Sequence, residues 1–334
     1  MARLEDIAVA VGVTATTVAN ALKGRGNVSD ATRMRIIECA QELGYRPNEL
    51  ARSLVQGKTF TLGFLLPTIA NPFYPEIAEA IERTASEHGY QMLLCNSFYD
   101  FARGRQHLER LVNRWVDGVI VMGSSIDPAD ILAQFQRGFP IVLCDWQENE
   151  IAIQMPQVSV DFRMAGALAA QHLIALGHRH MAIIFDEPQQ SLRFEGFRDT
   201  LLEADLALPE AMIQVGHSTL ESGYNAAQKL IESPTRPTAI FATTDWMALG
   251  AMQAVQNAGL QVPQDISIIG LDDITVSAHI RPPLTTIAIP KVQLAFEATE
   301  LLFRLIKGTP EPPLSRLIQP SLIVRQSTTV PPDI

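Results

Sequence analysis

The chain has 334 residues, 47% of them hydrophobic and 19% charged, which excludes a lone small module and allows two or three domains with sizeable cores. No apolar run approaches the ~18 to 20 residues of a membrane span and no basic-then-apolar leader begins at Met1, so a cytoplasmic protein is expected. The formal net charge of −10 argues against nucleic acid only until it is divided along the chain.

Residues 1 to 58 hold eight Lys/Arg against six Asp/Glu, a net of +2, which leaves −12 for the remainder. An acidic body repels phosphates while a slightly basic N-terminal segment can approach them, so this asymmetry would orient the molecule on DNA. Cys39, Cys95 and Cys144 form no CxxC pair and no even-numbered framework; they read as buried thiols in a reducing compartment.

In chain order, LEDIAVAV places Leu4, Ile7, Ala8 and Val11 on one helical face, and Gly12 breaks the pattern. Thr14 is positioned to cap a second helix, ATTVANALKG, which buries Val18, Ala21 and Leu22 and stops at Gly24. A third runs from a cap at Ser29 to Leu43, with a predicted inward face of Met34, Ile37, Cys39/Ala40 and Leu43. Val28 is its hydrophobic staple and Gly44 its left-handed cap. Three helices with a tight turn after the first describe a helix-turn-helix. Tyr45-Arg46-Pro47 ends that domain. Asn48 then caps ELARSLV, which Gly57 closes; a helix of about two turns is below the ~12 to 15 residues needed for stability alone, so it should form conditionally.

From Thr59 onward apolar strand-like runs alternate with amphipathic helices: TLGFLL, QMLLC, GVIVMG and PIVLCD, then VSV, MAIIF, MIQVG, AIFAT and SIIGLDD, with a helical pattern between successive runs of each series. Such βαβ units build parallel sheets covered on both faces. Two series exceed one sheet, so a split near Val158 into two lobes is expected. After Asp273 come PPLTTI, a long helix (Lys291 to Ile306) and a last strand LIVR, which suggests that the chain crosses back between the lobes.

There is no GxGxxG after the first strand, no GxxxxGK[ST], no GxSxG and no HExxH, so no motif marks an enzyme. His178 and His180 lack a partner cluster and read as a helix-to-strand loop rather than a metal site. Ligands of open α/β sheets lie beyond the carboxyl ends of strands. The positions there are Thr68, Phe73/Tyr74, Ser124/Ser125, Asp145/Trp146, Thr244/Asp245 and Asp272/Asp273, with Arg193 opening the helix after MAIIF. Aromatic faces, several carboxylates and one arginine suit a polyhydroxylated ligand, because rings stack on sugar C–H faces while charged groups hold hydroxyls. The plainer alternatives stay open: Asp245 as a helix cap, Phe73 and Trp146 as core, Arg193 as a surface ion pair.

LEDIAVAVGVTATTVANALKG, VSDATRMRIIECAQELGYRPNELARSL, LGFLLPTIANPFY, DGVIV, LGHRHMAII, RFEGFRDTL and DDITVSAHIRPPLTTI, in this order, make essentially the whole chain resemble the LacI/GalR family of bacterial transcriptional regulators. The resemblance implies a small all-α helix-turn-helix domain plus an α/β body of two Rossmann-like lobes, of the periplasmic-binding-protein type I. The expected division is 1–46 for the helix-turn-helix domain, 47–58 for a hinge helix and linker, and 59–334 for an effector-binding and dimerisation domain. Within the last, the N-lobe would take about 59–158 and 287–319, the C-lobe about 159–286 and 320–334.

It further implies that the second helix enters the major groove. Ala15, Thr16 and Asn20 would meet bases, and Thr14, Thr17 and Asn27 phosphates or neighbouring positions. Many members carry larger or basic residues at the first of these positions and an arginine at the third, so the operator half-site is not inherited from a well-known relative. The hinge, with Asn48, Ala51 and Arg52, would become helical on operator DNA and lever Leu54 into the minor groove.

In the body the implied effector contacts are Phe73, Tyr74, Ser124, Asp145, Arg193, Thr244 and Asp272, and Trp146 is added from its place after a strand. Thr244 and Ser218 stand where many sugar-binding members have Asn and an aromatic. DEPQQSL replaces the polar or basic loop of the purine-binding branch; the aspartates and arginine lean towards a sugar. The expected protein is a homodimeric, sequence-specific regulator, a repressor, binding a pseudo-palindromic operator under the control of a sugar-like effector, with no cofactor, no metal and no catalysis. The alternative is a solute-binding protein or an enzyme with the same body. RQSTTVPPDI after Val324 lacks the leucine heptads of a tetramerising coiled coil.

Overall fold

In a computed structural model of the chain the described residues are 2–22, 24–45, 57–114, 116–123, 126–146, 154–186, 190–309 and 314–332. They fall into two units, Met1–Thr59 and Phe60–Ile334.

The first unit has three helices. α1 (Leu4–Val11) buries Ile7, Ala8 and Val11, and Gly12 ends it at φ +75°. α2 (Ala15–Leu22) follows, its first turn capped by the Thr14 hydroxyl, which accepts from the Thr17 N–H at 3.1 Å. α3 (Asp30–Glu42) begins at Ser29, whose hydroxyl accepts from the Thr32 N–H at 3.3 Å. The core is Ile7, Ala8, Val11, Val18, Ala21, Ile36 and Ala40, with Leu4, Leu22, Val28 and Cys39 packed on it.

α3 corrects the sequence reading. Ala40 is buried and Cys39 packs on the core, as expected, but Met34, Ile37 and Leu43 are 64%, 39% and 43% exposed, and Ile36, outside the expected face, is buried. Apolar residues occupy both 36 and 37, and both 39 and 40, so helical spacing admits two faces that are turned by one residue. Which face goes inward is decided by α1 and α2, which offer a site for only one of them.

The second unit carries two six-stranded sheets. One contains β1 (Thr61–Leu66), β2 (Gln91–Asn96), β3 (Gly118–Met122), β4 (Ile141–Cys144), β5 (Gln157–Val160) and β11 (Ser315–Ile318), in the order β11-β5-β4-β3-β1-β2, all parallel. The other contains β6 (Met181–Phe185), β7 (Ile213–Val215), β8 (Ala239–Ala242), β9 (Ser267–Asp272), β10 (Thr285–Ala288) and β12 (Ser321–Ile323). Its order is β12-β10-β9-β8-β6-β7, parallel except where β12 meets β10. Central strands such as β3, β6 and β8 are buried along their whole length because helices cover both faces. Edge strand β2 is half exposed.

α4 (Phe73–Glu87), α5 (Phe101–Arg114), α6 (Pro128–Gln136) and α11 (Lys291–Ile306) belong with the first sheet. α7 (Phe162–Ala175), α8 (Ser191–Glu203), α9 (Leu220–Ile231) and α10 (Asp245–Asn257) belong with the second. The chain passes between the lobes after β5, after β10 and between β11 and β12. β5 runs in the first sheet to Val160, two residues beyond the expected split, and β10 keeps Ile287 and Ala288 in the second. Fully buried side chains such as Leu62, Phe64, Ile183 and Phe241 each contribute about 1.5 to 3 kcal/mol, and this rigid core is what holds the strand ends in place.

Candidate functional site

On the helical unit, Thr16 and Asn27 are exposed, while Thr17 and Asn20 are half-buried. The Thr14 and Thr17 hydroxyls lie 2.9 Å apart, so Thr14 serves the helix end as well as any partner. Ala15 is partly buried against the unit's own core, leaving a fraction of one methyl for outside contact. Asn20 lies beside the turn at Gly26, whose φ of +77° and closeness to the Asn20 side chain leave no room for a Cβ without displacement. The hinge positions Asn48, Ala51, Arg52 and Leu54 lie outside the described residues, as does Ser124.

In the α/β unit, three apolar strands end in an aspartate. Asp145 follows β4 and Asp272 closes β9, both with left-handed φ, +53° and +122°. Such backbone is costly for a residue with a Cβ and clusters where a side chain must be aimed. Asp272 is 1% exposed, and both of its carboxylate oxygens are buried without a hydrogen-bond partner; so is Oδ1 of Asp145. Burial pushes the Asp145 carboxyl up to about 7 and the Asp272 carboxyl well above the usual range, with the Arg193 charge opposing both. Asp186, after β6, is also raised by burial, against the Ser218 hydrogen bond and the charges of His217 and Arg193.

Arg193 sits in the first turn of α8, 7% exposed, with its guanidinium 4.1 Å from the centroid of the Phe162 ring. Its Nη1 donates to the Thr243 carbonyl at 2.7 Å. Its position depends on glycines: α7 and α8 touch backbone to backbone, and a Cβ at Gly166 would overlap the Arg193 carbonyl while one at Gly196 would overlap that of Arg163. A polar chain fixes the same corner. Ser218 Oγ donates to Asp186 Oδ2 at 2.8 Å, Gln190 Nε2 donates to Ser218 Oγ at 3.0 Å, and the Thr243 hydroxyl donates to Gln190 Oε1.

Tyr74, in the first turn of α4, belongs to the same lobe as Asp145 and lies within electrostatic reach of it and of Asp272 in the other lobe. Burial, then Tyr99, then Asp145 and, least, Asp272 raise its phenol, which is hydrogen-bonded to Tyr99. The structure therefore brings together Tyr74, Asp145, Arg193 and Asp272 from the sequence reading. Phe73 and Trp146 adjoin them as core residues: Phe73 is 3% exposed and meets the Tyr74 ring edge-on at 5.4 Å, and Trp146, next to Asp145, is 2% exposed in a cluster with Leu65, Leu143 and Met155. The Thr244 hydroxyl caps α10, accepting from the Met247 N–H at 3.1 Å. Asp245 takes hydrogen bonds from the Ile274 N–H, the Ser277 hydroxyl and the Thr286 hydroxyl, a structural role. His178 likewise braces the core between Thr238 Oγ1 and the Thr329 carbonyl.

Sequence reasoning missed Tyr99, Asp186, Gln190 and Phe162. Asp186 was legible, since MAIIFD repeats the apolar-strand-then-Asp pattern of IVLCD and SIIGLD. Chemically, buried carboxylates without partners accept hydroxyl hydrogen bonds, and the guanidinium donates to ring or hydroxyl oxygens. Asp145, Asp186 and Asp272 meet the positive charge of Arg193, and Lys291 also acts on Asp272, so the group mixes hydrogen-bond acceptors with cationic donors. No helix among these residues is long and apolar enough to cross a membrane.

Residues 3–48 match the family of bacterial regulatory proteins of the lacI type, and residues 170–328 match a periplasmic binding protein-like domain. The chain is 34% identical over 331 residues to a ribose operon repressor of Haemophilus influenzae, covering 98% of each chain. It superposes on the lac repressor dimer bound to operator and an anti-inducer with a TM-score of 0.88 at 26% identity, covering 98% of this chain and 99% of that one. A LacI family regulator from Enterococcus faecium with bound ribose matches at 28% identity and a TM-score of 0.71, covering 81% and 99%.

Proposed function

The chain belongs to the lacI family of bacterial regulatory proteins, and on that premise we propose that its cleft binds an uncharged sugar whose occupancy controls operator binding by the helical unit. The protein is a DNA-binding transcriptional repressor that acts as a homodimer, not an enzyme. It works in the cytoplasm, where its operator is. The ligand assignment is carried by one observation: the buried Asp272 carboxylate has no partner for either oxygen. Buried polar oxygens left so are costly, and a pair of ligand hydroxyls would supply what the fold withholds. Tyr74, Asp145 and Arg193 are the other ligand residues in this reading, with Asp186 as a third acid that keeps out phosphorylated sugars. Pairing of ribose with a relative of similar fold supports the same class.

On the DNA side we assign base contact to Thr16 and Asn20 at the start and along the exposed face of α2, with Ala15 limited to a thymine methyl. Asn20 prefers adenine for the same bidentate reason. Thr14, Thr17 and Asn27 take phosphates or neighbouring positions. Residues 1–46 form the DNA-binding domain, 47–58 the hinge with Asn48, Ala51, Arg52 and Leu54, and 59–334 the effector and dimerisation domain. Ligand-dependent rearrangement of the lobes needs to bias operator affinity by only about 1 to 3 kcal/mol per site.

The test is a gel shift of full-length protein on genomic fragments, joined to a thermal-shift panel of D-ribose, ribose 5-phosphate, sugar acids and purines. A preferred fragment whose binding changes with D-ribose, and a stabilisation by D-ribose absent with its phosphate, is the expected result. Stabilisation by a purine alone would replace the sugar assignment; a protein with no preferred fragment under any condition would remove the regulator role.

A further inference from the structure

The unpartnered carboxylate of Asp272 stands on a turn held by residues of the opposite lobe. Asp272 and Asp273 both have left-handed φ, +122° and +52°, so the turn needs external support to keep this form. Lys291, the first residue of α11, donates from Nζ to the carbonyl oxygens of Asp272 at 2.8 Å and Asp273 at 2.6 Å. Glu76 of α4 places Oε2 3.3 Å from that ammonium, and its Oε1 accepts from the Thr275 N–H at 2.8 Å. Arg325 anchors Asp273 from its own lobe, Nη2 to Oδ1 at 2.5 Å. Side-chain exposures of 13% for Lys291 and 24% for Glu76 keep solvent from displacing the pair, and partial desolvation strengthens it.

We propose that Glu76 is an interlobe clasp: from the N-lobe it grips the C-lobe turn 272–275, directly at Thr275 and through Lys291, so that it sets the aim of the Asp272 carboxylate and couples that carboxylate to the position of α4. It is a positioning residue, because both of its oxygens are already engaged. The inference rests on the reading of the cleft as a ligand site for its consequence, not for its geometry. α4 also presents Tyr74 to the cleft two residues before Glu76, so a ligand that draws Asp272 and Tyr74 together tightens the clasp, and an empty cleft relaxes it.

Amide hydrogen exchange of the full-length protein, without ligand or DNA, tests the clasp by itself. Glu76→Ala should speed exchange in the peptide spanning residues 271–278 by about tenfold or more, the loss of a charge-assisted hydrogen bond. Glu76→Gln keeps an acceptor for the Thr275 N–H and should restore most of the protection. Glu79→Ala, on the same helix but paired with exposed Arg83, should leave that peptide unchanged. Unaltered exchange in Glu76→Ala overturns the clasp, as does an equal effect from Glu79→Ala.

Calorimetric titration with D-ribose is the second arm. Glu76→Ala should bind about tenfold more weakly than wild type, with Glu76→Gln between them. Equal affinity in wild type and Glu76→Ala overturns the coupling to the ligand site. Absence of binding to the wild type counts against the sugar reading alone, since the exchange experiment still decides the clasp.

Discussion

Both carboxyl oxygens of Asp272 are buried without a hydrogen-bond partner, which sets stability against the ligand role proposed for it. Burial pushes the Asp272 carboxyl well above its usual range, so the folded protein holds a proton that the unfolded chain releases near neutral pH, and a neutral amide removes that cost. Asp272→Asn should therefore melt higher than wild type without ligand and lose D-ribose affinity by roughly 10- to 100-fold, the range for a hydrogen bond to a charged group. Calorimetry and a melting curve on the same preparation check both; a variant that melts lower and binds normally would contradict the assignment.

Asp145 gives a pH signature. Its carboxyl is pushed up to about 7 by burial, with Arg193 opposing, from an ordinary value of 3.8. The folded protein then holds a proton that the unfolded chain releases over that interval, so stability is lost as pH rises from about 4 to about 7. Asp145→Asn should flatten this slope in melting temperature across pH 5 to 7. Because hydroxyls donate best to the ionised carboxylate, D-ribose should bind more tightly at pH 8 than at pH 6, with proton release measurable in buffers of different ionisation enthalpy. These roles were readable only in part: an aspartate after an apolar strand is visible in a sequence, but its left-handed φ and unmet oxygens are not.

At the scale of elements, helix ends and strands were legible because they rest on local rules. Ser29 caps α3, Thr14 caps α2, and Gly12 and Gly44 end helices with positive φ. The orientation of α3 was not legible, since adjacent apolar pairs offered two faces. That correction predicts opposite outcomes for neighbouring substitutions. Ile36→Ala removes a fully buried side chain and should cost about 2 to 5 kcal/mol. Met34→Ala removes one that is 64% exposed and should stay within about 0.5 kcal/mol. Exchange protection of residues 2–45 in the full-length chain distinguishes them; similar losses would restore the original face. Trp146 and Phe73 teach the same lesson from the sheet: a position beyond a strand end does not reveal burial, and tertiary packing places both rings in core clusters.

At the scale of the molecule, the charge division of +2 for residues 1 to 58 against −12 for the rest favours approach to DNA by the helical unit. Operator binding should then fall steeply with salt, log affinity declining with log salt at a slope of about −0.9 per phosphate neutralised. A titration from 50 to 200 mM that leaves affinity flat would remove the phosphate contacts from the account. The sequence by itself determined the order and class of the elements, the two-sheet body and the helix-turn-helix, because periodicity, caps and apolar strand runs are local and repeated. Only the tertiary structure decided which residues meet at the strand ends. Tyr74, Asp145, Arg193 and Asp272 come from four separate strand–helix units, and their meeting depends on sheet order, on the glycine contact that seats α8, and on the turn that Glu76 and Lys291 hold. None of these is a property of neighbours along the chain.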